Sequence, residues 1–257
     1  MTLPDNWLFL KQFTKARIAL GRNGVSLPTN EILNFSLSHA QARDAVHQPF
    51  DSDQIQSELH KMGLSTLTVH SCVKDREEYL RRPDLGRKLN QESIKKLEKA
   101  YQNLSDLIII IGDGLSSYAV DRQAVSVIRA LLPYLKKLNM QLGPIILAHQ
   151  ARVALGDQIG TLLHAKSIAM LIGERPGLSS SDSLGIYVTW QPDDTRNDAD
   201  RNCISNVRPE GLKHNLAAFK LAWLLEQSFI KQLSGVRLKD ESDNAALSDT
   251  IKPLYIA

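Results

Sequence analysis

The residues able to do chemistry sit where short aliphatic blocks end. Asp106-Leu107-Ile108-Ile109-Ile110-Ile111 runs directly into Gly112-Asp113-Gly114-Leu115-Ser116-Ser117, a turn bracketed by glycines. That turn resembles a dinucleotide-binding loop, in which backbone N–H groups cradle a pyrophosphate, but Ser117 stands where the third glycine belongs. Asp113 would also set a carboxylate beside the phosphates. The same two glycines can serve only to turn a buried strand sharply. Two further blocks end in polar residues: Ser167 to Ile172 leads to Glu174-Arg175-Pro176-Gly177, and Pro144 to Ala148 leads to Gln150-Ala151-Arg152-Val153. The carboxyl end of a strand is where an open α/β sheet binds its ligand, so these three ends define a shared pocket. A surface ion pair between Glu174 and Arg175 in a rigid turn is the plain alternative. Cys203 lies in the polar stretch Asp200-Arg201-Asn202-Cys203-Ile204-Ser205-Asn206-Val207. Beside Arg201 it could be a nucleophile of lowered pKa, but no histidine is near it in sequence, which favours a packing or contact role.

Other chemistries are unsupported. The seven histidines are scattered, with no His-Glu-x-x-His pair, and the two cysteines, Cys72 and Cys203, are far apart, so no metal-ligand spacing and no disulfide framework is present. No Gly-x-x-x-x-Gly-Lys-Ser/Thr loop occurs. With 31 basic against 28 acidic residues the net charge is +3, and no basic run alternates with aromatics, so neither nucleic acid nor a membrane surface is the expected partner. No stretch reaches the about 18 uninterrupted apolar residues of a membrane span. The first residues do not resemble a secretion signal, and a reducing cytosol is the expected compartment.

The elements that must position these residues follow from periodicity. Five apolar residues in a row, Leu107 to Ile111, read as a strand buried on both faces. A helix from about 121 to 137, a strand at 144–148, a helix at 157–165 and a strand at 167–172 continue the alternation, and 185–190 adds a further strand. At 257 residues and 43% hydrophobic composition the chain can bury a core without staples. The expected fold is α/β, a Rossmann-like, mostly parallel sheet with helices on both faces, over residues 51–240. Within it, Asp51 or Ser52 caps a short helix running to Gly63, residues 64–73 form a strand, Asn90 caps a helix through Ala100, and 212–233 closes the domain. Residues 1–50 form an N-terminal helical extension: Trp7, Leu8, Leu10 and Phe13 recur at helical spacing. A second helix, about 30–46 with Thr29 or Asn30 as its cap, turns Ile32, Leu33, Phe35, Leu37 and Ala40 inward. Its apolar surface needs a partner, either the sheet or another chain. Residues 241–257 read as a polar tail.

Taken in order, several segments resemble the light chain, or small subunit, of ethanolamine ammonia-lyase: Ala16 to Arg22, Arg81-Arg82-Pro83-Asp84-Leu85-Gly86-Arg87, Gly112 to Ser116, Arg152-Val153 followed by Asp157-Gln158-Ile159-Gly160, Gly173 to Leu178, and Ala199-Asp200-Arg201 with Cys203-Ile204-Ser205-Asn206. They span roughly residues 16 to 210 in the family's order. The resemblance implies a Rossmann-like small subunit that covers adenosylcobalamin held by a large subunit, in a hetero-oligomer that converts ethanolamine to acetaldehyde and ammonia by radical chemistry. It implies that Val153, Glu174 and Cys203 contact the cobalamin, and that this chain supplies no catalytic residue and no metal ligand. The Asp-x-His-x-x-Gly sequence by which a protein histidine replaces the cobalamin's own base does not occur, in keeping with a family that binds the cofactor with its base attached. Some relatives carry a longer N-terminal leader associated with packaging into a bacterial microcompartment; this chain starts at its expected first helix, which leaves encapsulation open. The rival expectation is a free-standing nucleotide-binding protein using the Gly112 to Ser117 turn.

Overall fold

The structure is a computed structural model that describes residues 8–14, 16–100 and 104–245. Trp7 and most of the expected tail, from 246 onward, lie outside the described residues. The core is a six-stranded sheet in the order β1-β3-β2-β4-β5-β6, with β1 Thr66–His70, β2 Ser105–Gly112, β3 Ile145–His149, β4 Ala165–Gly173, β5 Leu184–Trp190 and β6 Arg201–Val207. The first four are parallel; β5 and β6 join antiparallel. The sheet is therefore mixed, where a mostly parallel one was expected. The reason lies in the link from β4 to β5, residues 174–183, which carries no helix and is shorter than the crossover of about a dozen residues that a parallel return needs.

Helices α1 Thr29–His47, α2 Ser52–Lys61, α3 Arg76–Arg81, α4 Gln91–Ala100, α5 Ser117–Lys137, α6 Leu155–Leu162, α7 His214–Lys231 and the short α8 Ser242–Ala245 surround it. Chain direction decides which face each covers. From β2 the chain steps back to β3, and from β3 forward to β4; right-handed crossovers then put α5 on one face and α6 on the other. The first face is a core of Leu107, Ile109, Ile111, Leu147 and Ile186 against α5 and α7. The second joins Ile108, Ile110, Ile146, Ile168 and Met170 to Leu97 of α4 and to Leu155 and Ile159 of α6. Along β2 successive isoleucines thus serve opposite cores, which is why the run is continuously apolar.

Local chemistry sets the ends. Asp51 caps α2 by accepting from the Gln54 N–H at 3.0 Å, and Asn90 accepts from the Ser93 N–H at 2.8 Å. Ser116 accepts from the Ala119 N–H at 3.2 Å, so α5 begins earlier than the expected 121. At α1 the cap position is Pro28, with no side-chain hydrogen bond, rather than Thr29 or Asn30. More consequentially, Ile32, Leu33, Phe35 and Leu37 are 48%, 63%, 45% and 59% exposed, and Ala45 is the helix's buried residue. The expected inward face is open, and the sheet domain is not its partner. The C-terminal end of α1 is tied to the sheet domain: the Ser117 hydroxyl donates to the Gln48 carbonyl at 2.6 Å, and Arg76 Nε donates to the Val46 carbonyl at 2.6 Å. The expected first helix is a 3-10 turn, Leu8–Gln12, with no buried residue.

Candidate functional site

A cleft of about 420 Å³ opens at the carboxyl ends of β2, β3 and β4. Its walls are Gly114 and Leu115, Arg152 and Val153, and Ile172 to Arg175, joined by Tyr79, Tyr187 and Ser205. The three strand ends therefore share one pocket, as their sequence positions indicated. The join is made by Asp113, which is nearly fully buried. Its Oδ1 accepts the N–H groups of Gly114 and Ala151 and its Oδ2 that of Gln150, each at 2.9 Å. Burial pushes its carboxyl up to about 6, against the pull of those donors and of Arg76 at 3.7 Å.

These bonds decide between the two readings of the turn. Gly114 has φ +58°, and a Cβ there would lie 2.3 Å from the Gly173 carbonyl oxygen; a Cβ on Gly112 would lie 2.6 Å from Met170 Cε. Gly114 is required by its φ and by close packing on the β4 backbone, while at Gly112 the neighbour is the flexible end of Met170. The Gly114 N–H is taken by Asp113 and the Leu115 N–H by the Gly173 carbonyl at 2.9 Å, while Ser116 donates to the Ser181 carbonyl at 2.8 Å. Two backbone donors of the turn, those of Gly114 and Leu115, are thus engaged within the chain.

The opposite wall rests on Tyr79, fully buried between two guanidinium groups, with Arg76 4.6 Å and Arg152 4.1 Å from its ring centroid. Its hydroxyl donates to the Ala151 carbonyl at 2.9 Å, and Arg152 Nη2 donates to the Tyr79 carbonyl at 2.9 Å. This stack fixes the turn that presents Val153. The Val153 N–H has no acceptor among the described residues. Sequence reasoning missed Tyr79; its signal was a lone aromatic within the charged segment 75–89.

Glu174 lines the cleft, and its partners are not Arg175. Its Oε2 accepts from the Ser183 hydroxyl and, at 3.2 Å, from the Asn206 N–H, while Oε1 accepts from the Ser205 hydroxyl at 2.5 Å. Arg175 is exposed. Ser183, Ser205 and Asn206 were not singled out as partners because the contacts cross between strands. Cys203 is not in the cleft wall but stands opposite Tyr187, which is. Of the two readings of the thiol, activation finds no support in its surroundings. Cys203 is exposed as a residue, but the atoms packed around its sulfur desolvate the thiol and push it up; the Tyr187 hydrogen bond opposes this and the Glu174 charge adds to it. Arg201 does not act on the thiol; it is buried in an ion pair with Asp157 of α6.

Among the described residues no group of three or more His, Cys, Asp or Glu is placed to hold a metal ion, and no helix is long and apolar enough to cross a membrane. What the cleft offers is a mixed set of neutral and charged hydrogen-bonding groups over an apolar floor of Leu115, Val153 and Ile172.

Comparison with known proteins supplies the relationship. The chain is 50% identical over 260 residues to the ethanolamine ammonia-lyase small subunit of Pseudomonas aeruginosa, covering 95% of this chain and 93% of that protein. It is 50% identical over 240 residues to the protein of that name from Bradyrhizobium diazoefficiens, covering 93% and 92%, and 49% identical over 233 residues to that of Rhodopseudomonas palustris, covering 91% and 89%. The family profile described as ethanolamine ammonia-lyase light chain matches residues 4–239, a span that includes every strand and every wall of the cleft, and the chain belongs to that family.

Proposed function

We propose that the chain is the small subunit of an adenosylcobalamin-dependent ethanolamine ammonia-lyase and that its cleft encloses one side of the cofactor at the interface with the large subunit. The observation that carries this is the hydrogen-bonding complement of the cleft. The corrin edge bears primary amides, which both donate and accept; the Val153 N–H is a donor without a partner among the described residues, and Glu174 is an acceptor lining the same cleft. Cys203, beside Tyr187, adds a compact contact at the rim. Those residues fit such a ligand. A cleft of about 420 Å³ is far smaller than a corrin with its nucleotide loop, so this chain forms a wall and the large subunit supplies the rest. The exposed apolar residues of α1 are a contact for that subunit.

When bound, the cofactor supplies the radical chemistry that converts ethanolamine to acetaldehyde and ammonia. This chain's residues orient it and keep water from that side, and no residue here is assigned to the substrate. The test is acetaldehyde formation from ethanolamine and adenosylcobalamin by this chain, by the cognate large subunit, and by the co-expressed pair. The expected result is activity from the pair alone. A folded, assembled pair without activity overturns the reading.

A further inference from the structure

We infer that Ser183, Ser205 and the backbone of Asn206 form a cradle that fixes Glu174 as a one-vacancy acceptor, and that this cradle selects a corrin carboxamide over the corresponding corrin carboxylate. The inference rests on the cobalamin reading of the cleft and deepens it.

The cradle is built by an irregularity in the sheet. Opposite β5, the pairing of β6 shifts register between Leu184 and Ile186, so β6 carries an extra residue. Asn206 lies at that shift with φ +59°, and its N–H turns onto Glu174 Oε2. Ser205, the neighbour on the bulge, donates to Oε1. Ser183, nearly fully buried at the end of the link that precedes β5, donates to Oε2. Gly185 admits the side chain: a Cβ there would lie 3.1 Å from Oε1. Oε2 is thus filled by two donors, while Oε1 has one. A carboxylate oxygen accepts two bonds, so among the described residues a single acceptor position on Oε1 is unfilled, on a side chain that lines the cleft.

A group that cannot donate finds nothing there. A primary amide places an N–H on Oε1. A carboxylate at the same place brings like charges together with no proton between them, which lowers affinity by about 100-fold or more. The carboxylate Glu174 is therefore a filter for fully amidated corrinoids. Ser183 and Ser205 are positioning residues, since they act through Glu174.

The experiment compares binding of cyanocobalamin and of its separate propionate monocarboxylates to the complex of this chain with its large subunit, by equilibrium filtration and absorbance. The expected result is that one isomer binds about 100-fold more weakly than the amide, and that Glu174→Gln, whose side chain can both donate and accept, brings that ratio close to unity. Ser205→Ala lowers affinity for the amide by about tenfold and shrinks the ratio, and Ser205→Thr, which keeps the hydroxyl, restores both. A merely structural role for the serine would weaken both ligands alike and leave the ratio unchanged, which would overturn the assignment. An unchanged ratio in the Glu174→Gln complex overturns the filter while leaving the cobalamin reading standing. A complex that takes up none of these corrinoids overturns both.

Discussion

Asp113 ties the ends of β2 and β3 together beneath the cleft, and Asp113→Asn isolates what its charge does there. In the folded chain burial raises the carboxyl from 3.8 to about 6. At about 1.4 kcal/mol per pH unit, that displacement is worth about 3 kcal/mol. Because the folded state holds the proton more tightly than the unfolded one, the contribution of this group to stability is greatest below pH 4. It declines as pH rises and reaches its floor just above pH 6. Asparagine has no such dependence. Its carbonyl can keep the two N–H donors that Oδ1 accepts, from Gly114 and Ala151, but its amide faces the Gln150 N–H and Arg76, donor against donor. That mismatch costs about 1–3 kcal/mol at any pH. Urea unfolding followed by circular dichroism from pH 4 to 7.5 gives the two curves. The substitution is expected to be clearly destabilising at pH 4 and to approach, or even exceed, wild-type stability at pH 7.5, the difference closing by about 2.5 kcal/mol. Parallel curves would refute the reasoning, and a difference that widens with pH would show that the backbone donors outweigh burial.

Three further outcomes follow from named contacts. Arg201→Met strips the partner from buried Asp157 and is expected to cost about 3–5 kcal/mol, much of it recovered in Asp157→Leu/Arg201→Met; additive losses in a double-mutant cycle would contradict this. Leu33→Glu with Leu37→Glu, at sites exposed in the isolated chain, should shift its stability by no more than about 0.5 kcal/mol per site and abolish co-purification with the large subunit; retained association would remove α1 from the interface. Cys203, its thiol pushed up by burial and by Glu174, should react with iodoacetamide at neutral pH more slowly than free cysteine, and Glu174→Gln should speed the reaction; a thiol faster than free cysteine would restore the activated-nucleophile idea.

Legibility in the sequence followed burial. The strands that pack on both faces, β2 to β4, are uninterrupted aliphatic blocks because each side chain meets a helix layer, so their positions and the pocket at their ends could be read directly. β6 could not. Ile204 and Val207 are buried while Cys203, Ser205 and Asn206 are exposed, and Arg201 is buried only through its ion pair, so the strand reads as a polar loop. The antiparallel direction of β5 was written in the short, Pro-, Gly- and Ser-rich link before it, a signal of length rather than of pattern. The helix α1 was legible as a helix but its buried side was not: periodicity reports that an apolar stripe needs cover, not which chain provides it.

The same distinction accounts for where the cleft lies. A parallel strand can follow its neighbour only through a crossover, and each crossover here brings a helix onto the sheet, so β1 to β4 are covered on both faces. The antiparallel returns to β5 and β6 bring no such helix. On the face that α4 and α6 cover elsewhere, Tyr187 is half-buried and Cys203 and Ser205 are exposed, next to the open loops of three parallel strand ends. The cleft is the place where helical cover stops. Among the described residues nothing covers this sheet face, and the apolar residues of α1 are exposed as well. The change from parallel to antiparallel pairing after β4 thus leaves one face of the sheet without helical cover beside the strand ends, and that is where the cleft opens.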